Sequence, residues 1–207
     1  MIAIVDYGVG NLFSLKCSFA KLGIEAELTS DPDVIRASDR IILPGVGAFG
    51  DAAEKLVASG LDKVIKSEAL MGKPLLGICL GMQLLFEGGC EYGFTPGLGL
   101  LRGTVRPISE IVPEGLKIPH MGWNALDFVG EKNELFKYIE NGDNVYFVHS
   151  FSARDCEDSV IATAEYGTDL CAAVARGNVY GCQFHPEKSG DTGLNILRAF
   201  CELGGVK

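Results

Sequence analysis

Residues 74–86 read PLLGICLGMQLLF. Pro74–Ile78 is a short apolar run of strand length, and the pattern from Leu80 to Phe86 reads as a helix that follows at once. Between them stands Gly77-Ile78-Cys79-Leu80-Gly81. A strand that becomes a helix across one residue needs small neighbours for close packing, and it projects the central side chain at the turn. This is the nucleophile-elbow layout, with cysteine in place of serine. Unpaired N–H groups and partial positive charge at a helix start favour a thiolate, and they can hold a developing oxyanion. The alternative for this pentapeptide alone is a buried cysteine in a tight turn.

Upstream of the elbow, strands and helices alternate. Ile2–Val5, Ile24–Leu28 and Arg40–Leu43 read as strands. Leu12–Leu22, Phe49–Ala58 and Leu61–Leu70 read as helices, and the turn Ser30–Asp33 starts a short one. Helices of this length between strands imply right-handed crossovers and an α/β fold whose mostly parallel central sheet is covered by helices. Ligands of such sheets bind at the carboxyl ends of the strands, where Asp6–Asn11, Pro44–Gly50 and Cys79 fall.

Downstream, the pattern changes. Glu87–Gly99 reads as a long loop. Short β-like runs follow at Leu101–Pro107, Leu116–His120, Ala125–Phe128, Val145–Ser150, Ser159–Glu165, Cys171–Arg176 and Val179–His185. Gly193–Leu203 closes the chain as a helix, with Leu194, Leu197 and Phe200 on one face. These runs predict an added antiparallel β portion. No linker, repeat or low-complexity tract interrupts the chain, so one domain over residues 1–207 is expected.

Phe184-His185-Pro186-Glu187 follows the last β-like run. Residues i and i+2 of an extended segment point to the same side, and Pro186 keeps the segment extended. His185 and Glu187 can therefore be held together. Cysteine chemistry needs such a pair: a base that takes the thiol proton and later protonates the leaving group, and a carboxylate that fixes the imidazole. Pro44-Gly45-Val46-Gly47, after the third strand, can present backbone N–H groups to an anion, or it is an ordinary βα turn. Gly8-Val9-Gly10 starts a dinucleotide pattern but lacks its third glycine, since Phe13 stands there, and no Lys-Ser/Thr pair makes it a P-loop. No nucleotide cofactor is expected.

Bulk properties narrow the field. A net charge of −9 argues against non-specific nucleic-acid binding, which needs Lys and Arg to meet phosphates. The seven cysteines are scattered with no CxxC pair, so no structural zinc or other metal is expected. Met1–Val5 reads directly into a strand with no secretory signal, which predicts a cytoplasmic protein with reduced thiols. No apolar run approaches membrane-spanning length.

GICLGMQ (Gly77–Gln83) and FHPE (Phe184–Glu187) together resemble the class I, triad-type glutamine amidotransferases, over essentially the whole chain. PGVGAFGDA (Pro44–Ala52), IPHMGWN (Ile118–Asn124), YFVHSF (Tyr146–Phe151) and FHPEKSG (Phe184–Gly190) resemble more narrowly the glutaminase subunits of imidazole glycerol phosphate synthases. Amidotransferases of anthranilate or GMP synthesis usually carry a PGGP-like or PGGxxS-like sequence in place of PGVG.

The resemblance implies a flavodoxin-like fold and hydrolysis of glutamine to glutamate and ammonia. The ammonia passes to a cyclase partner, a (β/α)8 barrel, for reaction with a phosphoribulosyl-formimino carboxamide ribonucleotide. The products are imidazole glycerol phosphate and an aminoimidazole carboxamide ribonucleotide. By the same resemblance Cys79 attacks the carboxamide, His185 is the general acid/base, and Glu187 orients it. Leu80 and Gly47 offer N–H groups to the oxyanion. Gln83, His149, Ser150 and Phe151 bind the substrate, although Phe151 is often tyrosine in the family. Asn11, Trp123 and Lys188 match positions that face the cyclase, and partner and ligand together complete the oxyanion hole near PGVG. Two other functions remain open on the sequence: a glutaminase subunit for another amidotransferase pathway, and a silent binding module on the same fold.

Overall fold

The computed structural model describes residues 1–204. In chain order the first half comprises β1 (Ile2–Val5), α1 (Leu12–Lys21), β2 (Ala26–Thr29), α2 (Pro32–Ala37), β3 (Arg40–Leu43), α3 (Phe49–Ala58), α4 (Leu61–Leu70), β4 (Leu75–Ile78) and α5 (Leu80–Gln83). The second half comprises β5 (Gly88–Gly89), β6 (Thr95–Pro96), β7 (Thr104–Pro107), β8 (His120–Ala125), β9 (Asp127–Phe128), β10 (Asn144–His149), β11 (Phe151–Arg154), β12 (Val160–Glu165), β13 (Asp169–Arg176), β14 (Val179–Cys182) and α6 (Gly190–Glu202).

The main sheet has the order β2-β1-β3-β4-β14-β13-β12-β9. Its first five strands run parallel, and β13, β12 and β9 continue it antiparallel. Strand β14 belongs to both parts: it pairs parallel with β4 and antiparallel with β13. Alternate residues of each parallel strand feed opposite faces. Ile2, Ile4, Ile42 and Leu76 pack under α1 and α6. Ala3, Val5, Ile41, Leu43 and Leu75 pack under α3 and α4. Strands β1, β3 and β4 are buried on both faces, which is why they read as near-continuous apolar runs, whereas the edge strand β2 is partly exposed. The expected helix-covered, mostly parallel sheet with an antiparallel addition is therefore the observed one. That addition also includes a ribbon of β8 and β10 and a small sheet ordered β11-β7-β5-β6.

Several boundaries differ from expectation. The helix after Cys79 was expected to reach Phe86 but stops at Gln83. Past Leu84 the turns tighten, with Leu85 N and Phe86 N donating to Met82 O and Gln83 O three residues back. The carbonyls of Leu84, Leu85 and Phe86 accept from the loop amides of Leu98, Gly99, Leu100 and Leu101. Within the expected loop Glu87–Gly99, Gly88–Gly89 and Thr95–Pro96 pair as a short hairpin. Leu116–His120 is not a strand. Leu116 and Ile118 are exposed, and regular pairing begins only at His120. Phe151–Arg154, unread as a strand in the sequence, pairs with β7.

Parallel register decides where the chemistry sits. Leu43 is level with Gly77, and Ile78 is level with Cys182. The segments after β3, β4 and β14 therefore leave the sheet at one edge, side by side.

Candidate active site

Cys79 sits at that edge with φ 54° and ψ −113°, a conformation non-glycine residues rarely adopt. Holding it costs on the order of 1–3 kcal/mol, and the surroundings fix it firmly. Its own N–H donates to Cys182 O at 2.7 Å. The glycines around it answer to close packing. A Cβ on Gly81 would lie 1.8 Å from Leu43 O, and one on Gly77 would lie 2.6 Å from Gly81 O. A Cβ on Gly45 would lie 2.7 Å from Gly81 N, so the loop after β3 presses against the elbow. Tyr7, after β1, holds that loop by donating its hydroxyl to Pro44 O at 2.8 Å.

Gly47, further along the loop, has φ +98° and open space around its Cα. Only glycine adopts such a conformation at little cost. The loop runs into α3, whose first amide, Phe49 N, donates to Glu91 Oε2 at 2.7 Å. With α5 only four residues long, a helix dipole contributes little at Cys79. What remains is the set of first-turn N–H groups, Leu80's among them, that have no intrahelical acceptor.

His185 arrives from β14. Its N–H donates to Tyr146 O at 2.9 Å, and its carbonyl accepts from Ser189 Oγ at 2.6 Å. Ser189 Oγ also accepts from Tyr146 N at 2.9 Å, so β10 and the turn after His185 are tied together twice. His185 Nδ1 bonds Glu187 Oε1 at 2.8 Å, and both side chains are almost fully buried. Glu187 Oε2 is buried with no protein partner. The turn that carries Glu187 lies against α6 so closely that a Cβ on Gly193 would meet Pro186 O at 1.9 Å.

Burial opposes a charge on His185. The neighbouring Cys79, and the hydrogen bond and negative charge of Glu187, outweigh it and push the imidazole up to about 9. A protonated His185 is thus the stable resting form near neutral pH. The thiol acts on the imidazole's protonation, while the hydrogen bond that Sγ receives comes from Gln183 Nε2 at 3.8 Å. Nucleophile–base contacts of this kind commonly tighten only with substrate present.

These groups line a cleft of about 330 Å³. Of the residues the sequence singled out, the structure brings Gly47, Cys79, Leu80, Gln83, His149, Ser150, Phe151, His185 and Lys188 to it. Glu187 stands behind His185. Gln83 spends both Nε2 protons inside the protein, on Phe151 O at 3.2 Å and Gln183 Oε1 at 2.9 Å. Its Oε1 is therefore the atom left to meet a ligand. Asn11 and Trp123 are not part of the lining. Asn11 precedes α1 without capping it through its side chain. Trp123 is 58% exposed, with its ring 6.2 Å from that of Tyr146. Lys188 Nζ lies 5.9 Å from the same tyrosine ring, at the rim.

Sequence reading missed Tyr7, Glu91, Pro119, Val148 and Gln183. Gln183 alone carried a signal, since it immediately precedes FHPE in a strand that ends at the site. A larger cleft of about 440 Å³, lined by Arg154, Cys156 and Cys171 among others, shares no residue with this one and contains no histidine base. Among the described residues no group of His, Cys, Asp and Glu is arranged to hold a metal ion, and no helix is long and apolar enough to cross a membrane.

A buried Cys–His–Glu constellation at a strand–helix elbow, with backbone N–H groups at hand, is suited to acyl transfer through a thioester. Comparison with known proteins agrees. The class-I glutamine amidotransferase family matches residues 3–202. A solved structure described as a glutamine amidotransferase shares the fold over 100% of both chains, with a TM-score of 0.77 at 22% identity. A protein of Wolinella succinogenes named imidazole glycerol phosphate synthase subunit HisH is 48% identical, over 99% of this chain and all of its own. A protein of Rhodopirellula baltica with the same name is 49% identical, over 97% of this chain and 96% of its own. The chain belongs to the class-I glutamine amidotransferases, and within them to the family of imidazole glycerol phosphate synthase subunit HisH.

Proposed function

We propose that this chain, a single amidotransferase domain over residues 1–207, is the glutaminase half of an imidazole glycerol phosphate synthase. It releases ammonia from glutamine and delivers it to a cyclase subunit. The observation that carries the reading is the pairing of a backbone-strained Cys79 with an imidazole held positive by a buried glutamate in one small cleft.

The Cys79 thiolate attacks the carboxamide carbon of glutamine, and the carbonyl oxygen becomes an oxyanion facing the N–H groups of Leu80 and Gly47. His185, already protonated, gives its proton to the departing nitrogen, and ammonia leaves a glutamyl thioester behind. The now neutral His185 takes a proton from water. The hydroxide attacks the thioester, and glutamate and the thiolate are regenerated. Glu187 keeps Nδ1 occupied, so that Nε2 faces the reaction throughout. Gln83 Oε1 accepts from the α-amino group of the substrate, and the backbone of His149–Phe151 holds its amino-acid end.

The partner seats on the outer face of β8. His120, Gly122 and Asn124 point to one side of this ribbon and Met121 and Trp123 to the other, where both are more than half exposed. Asn11 and Lys188 complete the contact, and the product is a heterodimer. Seven unpaired cysteines suit a cytoplasmic setting.

The test is glutamate release by this chain alone, with the cyclase, and with the cyclase and its ribonucleotide ligand. Stimulation by partner and ligand is expected, together with loss of glutamine-dependent but not ammonia-dependent cyclisation in Cys79→Ala. Equal loss of both activities, or stimulation by the synthase subunit of another pathway only, contradicts the assignment.

A further inference from the structure

Behind the cleft, two histidines outside the catalytic pair join the ribbon to the substrate wall. Strands β8 and β10 pair in a register that sets His120 directly opposite His149. Both are buried, and their rings meet through His120 Nδ1 and His149 Nε2 at 2.9 Å. His149 Nδ1 lies 2.8 Å from Phe151 O, and Asn124 Nδ2 lies 3.2 Å from His120 Nε2.

The direction of every bond in this chain is forced. A carbonyl oxygen only accepts, so His149 Nδ1 carries the proton. Burial pushes His149 down to about 4, so the ring is neutral and its Nε2 accepts. His120 must therefore donate from Nδ1 and accept at Nε2, which suits the Asn124 amide. That amide is fixed in turn: its second proton goes to Glu165 O at 2.8 Å, and its oxygen accepts from Ala125 N at 2.9 Å. The His120 ring is held between Phe147 and Tyr166, with centroids 4.7 Å and 4.3 Å away. Beyond His149, Phe151 O takes its second hydrogen bond from Gln83 Nε2.

We infer that Asn124, His120 and His149 form a one-way hydrogen-bond relay that positions the Phe151 carbonyl, and through it the Gln83 amide and the 149–151 wall of the cleft. His120 is thereby a positioning residue for substrate binding. It touches neither Cys79 nor His185, so its effect falls on ground-state affinity and not on the bond-breaking step. The identity of the substrate as glutamine rests on the function proposed above.

The variants His120→Phe and His120→Asn separate the relay from simple packing. Phenylalanine keeps the ring between Phe147 and Tyr166 but removes the donor. Asparagine loses the ring, yet its Nδ2 reaches the place of the missing Nδ1. In the full complex with cyclase and ribonucleotide, His120→Phe should raise the KM for glutamine about tenfold, the effect of a lost buried hydrogen bond. The kcat should stay within about twofold. His120→Asn should restore most of the affinity. Alkylation of Cys79 by iodoacetamide should run at one rate in all three proteins.

Nitrogen-15 spectra of the wild type near pH 7 should show both His120 and His149 protonated at Nδ1 and bare at Nε2. An unchanged KM in His120→Phe, a kcat that falls with it, equal defects in the two variants, or an Nε2-protonated ring at either position overturns the relay. If the wild-type complex releases no glutamate, the glutaminase reading fails by itself, and the ring-nitrogen spectra still decide the relay.

Discussion

His185, three residues beyond β14, and His149, at the end of β10, line the same cleft and are 2% and 6% exposed. One is pushed up to about 9 and the other down to about 4. Burial disfavours the charged form of both. At His185 the Cys79 thiol and the Glu187 carboxylate reverse it. At His149 burial dominates, the carbonyl of Phe151 opposes it, and the positive charge of His185 reinforces it. On the function and the relay proposed above, one imidazole of the cleft carries a proton into the reaction and the other stays neutral and keeps a backbone carbonyl in place. Their partners, not their depth, assign the roles.

Removing the proposed nucleophile should break the comparison most severely. Cys79→Ala should lower glutamine-dependent turnover by several powers of ten, as nucleophile deletions do elsewhere. His185 should then titrate below about 9 in an NMR titration, because one of its two supports is gone. An imidazole unmoved in this variant would show that Glu187 alone holds the charge.

Glu187→Gln tests the other support. The amide can still bond Nδ1 but brings no charge. A kcat lower by about 10²–10⁴-fold is expected from loss of the carboxylate that orients and stabilises an imidazolium. A loss confined to KM would remove Glu187 from the catalytic group.

The elbow and the His185–Glu187 pair were legible because each is local. Glycines flank Cys79 in a strand-to-helix pattern, and a proline holds His185 and Glu187 in an extended tripeptide. Parallel order then placed both at one sheet edge. The His120–His149 contact was not legible. The two lie 29 residues apart, and only the β8–β10 register makes them neighbours. The strand expected over Leu116–His120 obscured it further, since that reading ends at the residue where the real strand begins. The seven-residue helix after Cys79 failed for a related reason. Its pattern is helical, but its last amides tighten onto carbonyls three residues back, while loop amides from residues 98–101 tie down the carbonyls of Leu84, Leu85 and Phe86. Non-local hydrogen bonds of this kind leave no periodic trace.

A smaller effect should appear in stability against pH. His185 ordinarily titrates at 6.5 and in the fold at about 9. Its share of stability is complete below pH 6.5 and is lost as pH rises through about 9. His149 moves the other way, from 6.5 to about 4. Its neutral form is the one the fold accommodates, so its share is complete above pH 6.5 and is lost as pH falls through about 4. At about 1.4 kcal/mol per pH unit, each limb is on the order of 3 kcal/mol. Denaturant melts from pH 4.5 to 9 should show stability falling on both sides of pH 6.5. Cys79→Ala should flatten the alkaline limb and His149→Phe the acidic one. If each variant instead flattens the opposite limb, or neither, the assignment of protons to these rings is wrong.

The smallest effect concerns Phe151. The contact His149 makes with this residue is to its carbonyl, and Gln83 uses the same atom. The ring packs at the edge of the core formed with α3 and α4. If the backbone oxygen is what matters to the neutral histidine, the side chain is free to vary. Phe151→Tyr should then change the KM for glutamine by no more than about twofold, the usual range for a substitution that disturbs no buried partner. A much larger change would mean that the ring itself meets the substrate, and the neutral histidine would be supporting a side chain and not a carbonyl. A twofold or smaller change leaves the distinction between the two buried imidazoles resting on the atoms they touch: a thiol and a carboxylate at one, a main-chain oxygen at the other.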